Sequence, residues 1–195
     1  MGLNDVAVKG KPIVVCRMGR TPEIIHGEGA RIVQSPLECF SRATEDQAEF
    51  IVVIFSGWNI LVRHSVLELC RHLKNNPLTG EIPVIAVMEG LHREMMVKLQ
   101  ECGVALFDKY KATAPIDLNR IKDLARRRDY AVDIREEIKK LCPFLNHIDI
   151  EGDYVLTACG AYKNRMVLGG KRLHEICETL NYRLCDYFMK SGIVP

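Results

Sequence analysis

Residues 49–59 read EFIVVIFSGWN, residues 65–90 read SVLELCRHLKNNPLTGEIPVIAVMEG, and residues 101–110 read ECGVALFDKY. FIVVIF is apolar on both alternating faces, the pattern of a strand covered on each side at the centre of a parallel sheet. Val62, Val66, Leu69, Cys70 and Leu73 then recur at helical spacing until NNPLTG breaks the helix. IPVIAVM is the next strand. Leu91, Met95, Met96 and Leu99 mark the helix after it, with Gly103 where a helix ends in a left-handed residue. VALFDK is the last strand of the series. Upstream, PIVVCRM (residues 12–18) and ARIVQS (residues 30–35) add two strands, and a helix opens at Ser35-Pro36 with Leu37, Phe40 and Ala43 on its inner face. TPEIIHGEG between those strands leaves room for barely one or two turns.

Strands alternating with helices predict an α/β fold: a five-stranded, doubly wound parallel sheet of flavodoxin-like type. The division expected is a tail over 1–10, the sheet domain over 11–128, a long fifth helix or linker over 115–141 and a small α+β segment over 142–195. Ile121, Leu124, Ala131, Ile134, Ile138 and Leu141 form the stripe of that helix, about 40 Å long if continuous and so expected to project. Arg126-Arg127-Arg128 interrupts it as a solvated face. In the last segment, DYVLTACGAYKNRMVLGG predicts two short strands around a turn at Lys163-Asn164, and KRLHEICETLNYRLCDYFMKSG predicts a helix closing at Gly192.

The 195 residues are 48% apolar and 27% charged, with a formal charge of +2, which suits a soluble globule and offers no strong basic excess for nucleic acid. Residues 142–195 carry six basic and six acidic side chains, so no basic face is expected there either. The opening MGLNDVAVKGKP has no apolar signal core, and no apolar run approaches the roughly 20 residues that span a bilayer. A cytoplasmic protein without membrane insertion is the expectation.

LELCRHLKNNPLTGEIPVIAVM and ECGVALFDKY resemble the receiver domain of bacterial response regulators, the output half of two-component phosphorelays; the likeness runs from Lys11 to about Arg128. The resemblance implies an acidic pair after the first strand to hold Mg²⁺, a phosphoacceptor aspartate ending the third, a Thr or Ser ending the fourth and a lysine ending the fifth. Here Cys16-Arg17 stands for the acidic pair, and a guanidinium there repels a metal ion. The acceptor position falls at Ile54-Phe55-Ser56-Gly57, without a carboxylate; Asp46 and Asp108 bracket a stretch that has no aspartate. Met88 takes the Thr/Ser place, Lys109 keeps the lysine, and Tyr110 replaces the following proline. The degenerate site is therefore Cys16, Arg17, Ser56, Gly57, Met88 and Lys109.

Eight cysteines divide into two groups. Cys16, Cys39, Cys70 and Cys102 lie in apolar patterns and read as small buried hydrophobes. Cys142, Cys159, Cys177 and Cys185, with CPFL at the start and C-x₇-C around Tyr182, resemble a small four-cysteine module of signalling and redox proteins from anaerobic bacteria. That resemblance implies Zn²⁺ or an iron–sulfur cluster on four thiolates; Asp186 departs from its usual closing CP. Geometry opposes it: on one continuous helix Cys177 and Cys185 stand about 12 Å apart, while two sulfurs on one zinc need roughly 4 Å. A metal site therefore demands a helix break near Asn181-Tyr182, with His147 or His174 able to replace a missing ligand. Buried free thiols remain the other reading, and no cofactor is certain.

No Gly-rich phosphate loop, nucleophile elbow or HExxH pattern is present, and no catalysis is expected. The function expected is a pseudo-receiver, a phosphorylation-independent signalling adaptor that binds protein partners. A homodimer would use the family's fourth helix–fifth strand–fifth helix face together with the long helix. The alternative is a redox or metal sensor acting through the four C-terminal cysteines.

Overall fold

The computed structural model describes residues 11–19, 25–26, 29–56, 59–111, 114–127, 133–150, 155–163 and 165–192. The 1–10 tail and Gly57 lie outside these residues. Five strands, β1 (Ile13–Met18), β3 (Ala30–Val33), β4 (Phe50–Ser56), β5 (Val84–Glu89) and β6 (Leu106–Tyr110), form a sheet in the order β3-β1-β4-β5-β6. Every pairing in it is parallel. The α/β, flavodoxin-like expectation holds.

β4 is central because nothing in Phe50–Phe55 tolerates water on either face, and all six residues are buried. Ile51, Val53 and Phe55 enter one core with α1 (Pro36–Glu45), α2 (Ile60–Asn75) and α3 (Arg93–Glu101). Phe50, Val52 and Ile54 enter the other, closed by Leu118 and Ile121 of α4 (Leu118–Arg127). The starts of α1 and α2 are paired locally. The Ser35 hydroxyl accepts from Glu38 N–H at 3.1 Å with Pro36 in the first turn, and Asn59 Oδ1 accepts from Val62 N–H at 3.0 Å. Between β1 and β3 the described residues hold a two-residue strand, β2 (Ile25–His26), which pairs in parallel with β7 (Ile116–Asp117).

The single helix expected over 115–141 is corrected. α4 ends at Arg127, and α5 (Ile134–Lys140) starts anew from Asp133, whose backbone is extended (φ −66°, ψ 119°) and whose carboxylate accepts from Arg135 N–H at 2.8 Å. Asp133 bridges antiparallel to Leu106, and Ile134 N–H donates to Ala105 O at 2.9 Å. The two helices serve opposite faces of the sheet: Ile121 is buried in the α4 core, whereas Ile134 and Leu141 are buried with α3. A continuous helix would leave half of its apolar stripe in water, so the chain turns at Asp133 and covers both faces. Arg126 is tied to Glu49 at 2.9 Å on the exposed side, as a solvated face requires.

The C-terminal segment has a core of its own. β8 (Leu145–Asp149), β9 (Val155–Cys159) and β10 (Met166–Val167) form an antiparallel sheet in the order β10-β9-β8. The expected pair of strands is β9 and β10, with Lys163 in the turn at φ 54°. β8 is an element the sequence analysis did not assign. The long terminal helix is also corrected. Helical turns over 170–177 stop at Thr179, which is extended (φ −136°, ψ 168°), then a 3₁₀ segment, Leu180–Leu184, leads to an extended Cys185 and a final helix, Asp186–Met189. Among the described residues no helix is long and apolar enough to cross a membrane.

Two substitutions separate core from surface. Ile51→Ala, at a site with no exposure, is expected to lower unfolding stability by about 2–5 kcal/mol. Leu37, expected on the inner face of α1, is corrected to the surface at 80% exposure, and Leu37→Ala should change stability by no more than about 0.5 kcal/mol. Urea denaturation midpoints check both.

Candidate functional site

Three places carry chemistry-bearing residues. The first is the carboxyl edge of the sheet. Cys16 is fully buried, with its thiol facing Ser35 O at 3.8 Å, so it belongs to the core and not to a solvent-facing pocket. Cys39, Cys70 and Cys102 lie in the same core. A hydrogen bond with Cys16 and then burial push the Cys39 thiol up, and burial does the same to Cys70. Arg17 is half-buried one residue on, beside Ile54 in the register. Ser56 stands opposite Glu89, and Met88, fully buried, stands opposite Lys109, which is exposed. Asp108 pairs with Arg120 of α4 and not with Lys109. Strand alternation puts Arg17 and Lys109 on opposite faces of the sheet, so they do not build one pocket. Gly57 is outside the described residues.

The second place is the C-terminal core, and here the structure joins what the sequence left apart. Cys142, Cys159, Cys177 and Cys185 line one cavity of about 10 Å³ together with Phe144, Tyr182 and Phe188. Local bonds set each thiol in place. Cys142 N–H donates to Cys177 O at 2.8 Å, which draws the end of α5 onto the turn at 173–177. Cys142 O accepts from Leu145 N–H at 3.0 Å, and the Phe144 N–H reaches the Cys142 sulfur. Cys159 closes β9 opposite Leu145. Gly160 follows because a Cβ there would meet Asn146 Nδ2 at 2.7 Å. Cys185 enters through the breaks at Thr179 and at Cys185 itself, close to but not at the expected Asn181-Tyr182. Cys177 and Cys185 therefore lie on separate segments and not on one helix that would hold them about 12 Å apart.

Burial pushes Cys142 up, and nearby thiols at Cys159 and Cys185 add to the shift. Cys177 is pushed up to about 12, first by burial and then by Cys142, Cys159 and Cys185. Four thiols that disfavour one another's ionisation in a greasy pocket suit either a protonated cluster or a cation that reverses the sign of the interaction. Among the described residues, no three His, Cys, Asp or Glu side chains already form a metal-ligating group, so an ion would require the thiols to rotate inward. His147 and His174 are not in this cavity: His147 stacks on His92, and His174 pairs with Glu178 at 2.7 Å.

The third place lies between the sheet-domain core and the C-terminal segment, and no sequence pattern points to it. Of the five buried polar or charged side chains among the described residues, Arg63, His92, His147 and Thr157 gather here, and Thr79 lies elsewhere. His92 is the first cap of α3, its Nδ1 3.3 Å from Met95 N. Its Nε2 lies 2.5 Å from an Arg63 guanidinium nitrogen, and a neutral imidazole offers one acceptor nitrogen, so the two contacts compete for it. The His92 and His147 rings stack with centroids 4.1 Å apart, Thr157 Oγ1 lies 3.4 Å from His147 Nδ1, and Arg63 also pairs with Asp149. α2, α3, β8 and β9 are thus tied by one buried polar group of side chains. No spacing signal in the sequence announces it, since Arg63 and Asp149 are 86 residues apart.

No family model matches the chain, and no curated protein matches it. Among solved structures it is similar to the 1.5 Å crystal structure of a cobalamin-binding protein from Desulfitobacterium hafniense DCB-2, with 18% identity and a TM-score of 0.40. The likeness covers 60% of this chain and 59% of that one, so the chain spans about three fifths of that protein's length.

The junction yields a pH prediction. Burial and then His147 hold His92 down to about 3, and burial and then Arg63 hold His147 down to about 4. Both folded values lie below the ordinary histidine value of about 6.5. The unfolded chain therefore takes up protons first, and stability present above that value is lost as pH falls through about 4 for His147 and about 3 for His92. Urea midpoints should drop over that window with uptake of up to two protons on unfolding. In His92→Asn/His147→Gln, the drop should flatten.

Proposed function

We propose that this chain is a phosphorylation-independent signalling adaptor, a pseudo-receiver that acts by binding protein partners. One observation carries this reading: at the strand ends where a receiver would gather carboxylates around Mg²⁺ and phosphate, this sheet presents Arg17, Ser56, buried Met88 and exposed Lys109. A divalent ion needs several hard oxygen ligands, and a guanidinium among them works against its entry. Glu89 at the end of β5 is a single carboxylate, and Asp108 is neutralised by Arg120. The scaffold that positions such a site persists, with a core closed on both sides of the sheet. Its role is then to hold surfaces.

The homodimer face expected from the family is α3–β6–α4. In this chain α5 and β8 pack on α3, and Asp133 lies along the β6 edge. A dimer through that face would have to displace the chain's own segments, and so the adaptor's contacts are assigned to a different partner surface.

A second reading, a metal or redox centre, is favoured by the meeting of Cys142, Cys159, Cys177 and Cys185 on one cavity. Cys142 and Cys177 are joined through their main chains, Cys142 N–H donating to Cys177 O at 2.8 Å. A bound metal would supply the charge that four ionised thiols require.

Exposure of the pure protein to acetyl phosphate and Mg²⁺ tests the first reading. No phosphoryl mass increment is expected, and a stoichiometric acyl-phosphate adduct would overturn it. For the second, protein purified without oxygen is analysed for metal and scanned in the visible. One zinc per chain, or absorption from thiolate to iron, supports a centre; colourless, metal-free protein of normal fold removes it.

A further inference from the structure

The cavity of the four thiols has one cation on its lining, Arg172. It lies one turn before Cys177, and its Nη2 donates to Cys185 Sγ at 3.9 Å. The same guanidinium lies over the Tyr187 ring, 5.3 Å from the centroid. Tyr187 is in turn held edge-on by Tyr162, with centroids 5.2 Å apart. Tyr162, Tyr187, Arg172 and Cys185 thus form a chain of contacts that aims a positive charge at the sulfurs. The stacking takes entropy out of a long side chain that would otherwise swing free in solvent.

Four thiolates around a divalent ion carry a net charge of −2, and reduction of an iron–sulfur cluster adds more negative charge. The remaining wall is apolar or aromatic, with Phe144, Leu168, Tyr182 and Phe188. A buried anion in such a wall is costly without a counter-charge or hydrogen bonds to sulfur. The Phe144 N–H supplies one hydrogen bond, to Cys142. Only Arg172, among the residues on the lining, supplies full charge.

We propose that Arg172 is the positioning residue of a thiophilic metal centre on Cys142, Cys159, Cys177 and Cys185, held over Tyr187 as the counter-charge of the tetrathiolate. This rests on the metal reading of the previous section and adds a residue that the cysteine spacing does not reveal. Arg172 does not ligate; it offsets the charge that ligation creates. The shared chemistry is a centre bound through sulfur, whether a single Zn²⁺-like ion or an iron–sulfur cluster.

Titration of reduced, metal-free full-length protein with Co²⁺ under argon is the test, because tetrahedral thiolate-bound cobalt has its own visible spectrum. Wild type is expected to bind one ion per chain with that spectrum. Arg172→Gln should weaken binding about tenfold, the lower end of what loss of an outer partner of a metal site costs. Arg172→Lys should stay within about threefold of wild type, since it keeps the charge and loses only the stacking fork. Thermal unfolding of the metal-free forms controls for folding and should be unchanged. If the native protein carries an iron–sulfur chromophore instead, the readout is the midpoint potential. It should fall in Arg172→Gln, because a positive charge favours the more negative, reduced state. Wild type that binds metal with Arg172→Gln indistinguishable in affinity or potential overturns this inference alone. Wild type that takes up neither cobalt nor a cluster removes the metal reading with it.

Discussion

Burial on both faces of β4 is the constraint from which the rest of the structure follows. A strand whose alternate side chains are all apolar must be covered twice, and each cover has to come from somewhere in the chain. α1, α2 and α3 cover one face, and α4 covers the other with Leu118 and Ile121. α5 then returns to the first face through the turn at Asp133, where Ile134 and Leu141 are buried. The apolar stripe over 115–141 was real, but it served two faces of one sheet and not one side of one helix.

The return of α5 decides where the C-terminal segment sits. Leu141 is buried in the sheet-domain core and Cys142, next in sequence, is buried in the core of the C-terminal segment. β8 then runs beside α3 and carries His147 and Asp149 to His92 and Arg63. Two apolar cores with a polar group of side chains between them have a defined registry, because a shift of β8 would leave an arginine and two imidazoles buried without their partners. This junction stands at the start of α3 and the first turn of α2.

The candidate sites differ in how far they could be read in advance. The residues at the strand ends, Arg17, Ser56, Met88 and Lys109, were legible in place, because strand ends follow from alternation and turn residues alone. The four thiols were legible as a set but not as a site. Helical periodicity in 171–190 is genuine locally, since Leu173, Ile176 and Cys177 share a face, and it argues for one helix. The extended residues Thr179 and Cys185 break it. Periodicity carries no mark of those breaks, as Thr179 and Asn181 bond to the Glu175 carbonyl only after the chain has turned. The Arg63–His92–His147 junction had no local signature whatever.

By itself the sequence determined the five strands of the parallel sheet and the helices α1, α2 and α3 between them, because these depend on the period of apolar residues and on the turn residues that end each element. It also determined that four cysteines lie beyond residue 141. Only the tertiary structure decided that the stripe over 115–141 splits, that β8 docks on α3 and that Cys177 and Cys185 face the same cavity as Cys142 and Cys159. The physical reason is one of range. Periodicity reports on neighbours three or four residues away, whereas Cys142 and Cys177, or Arg63 and Asp149, meet because burial of distant apolar surfaces leaves them no other place.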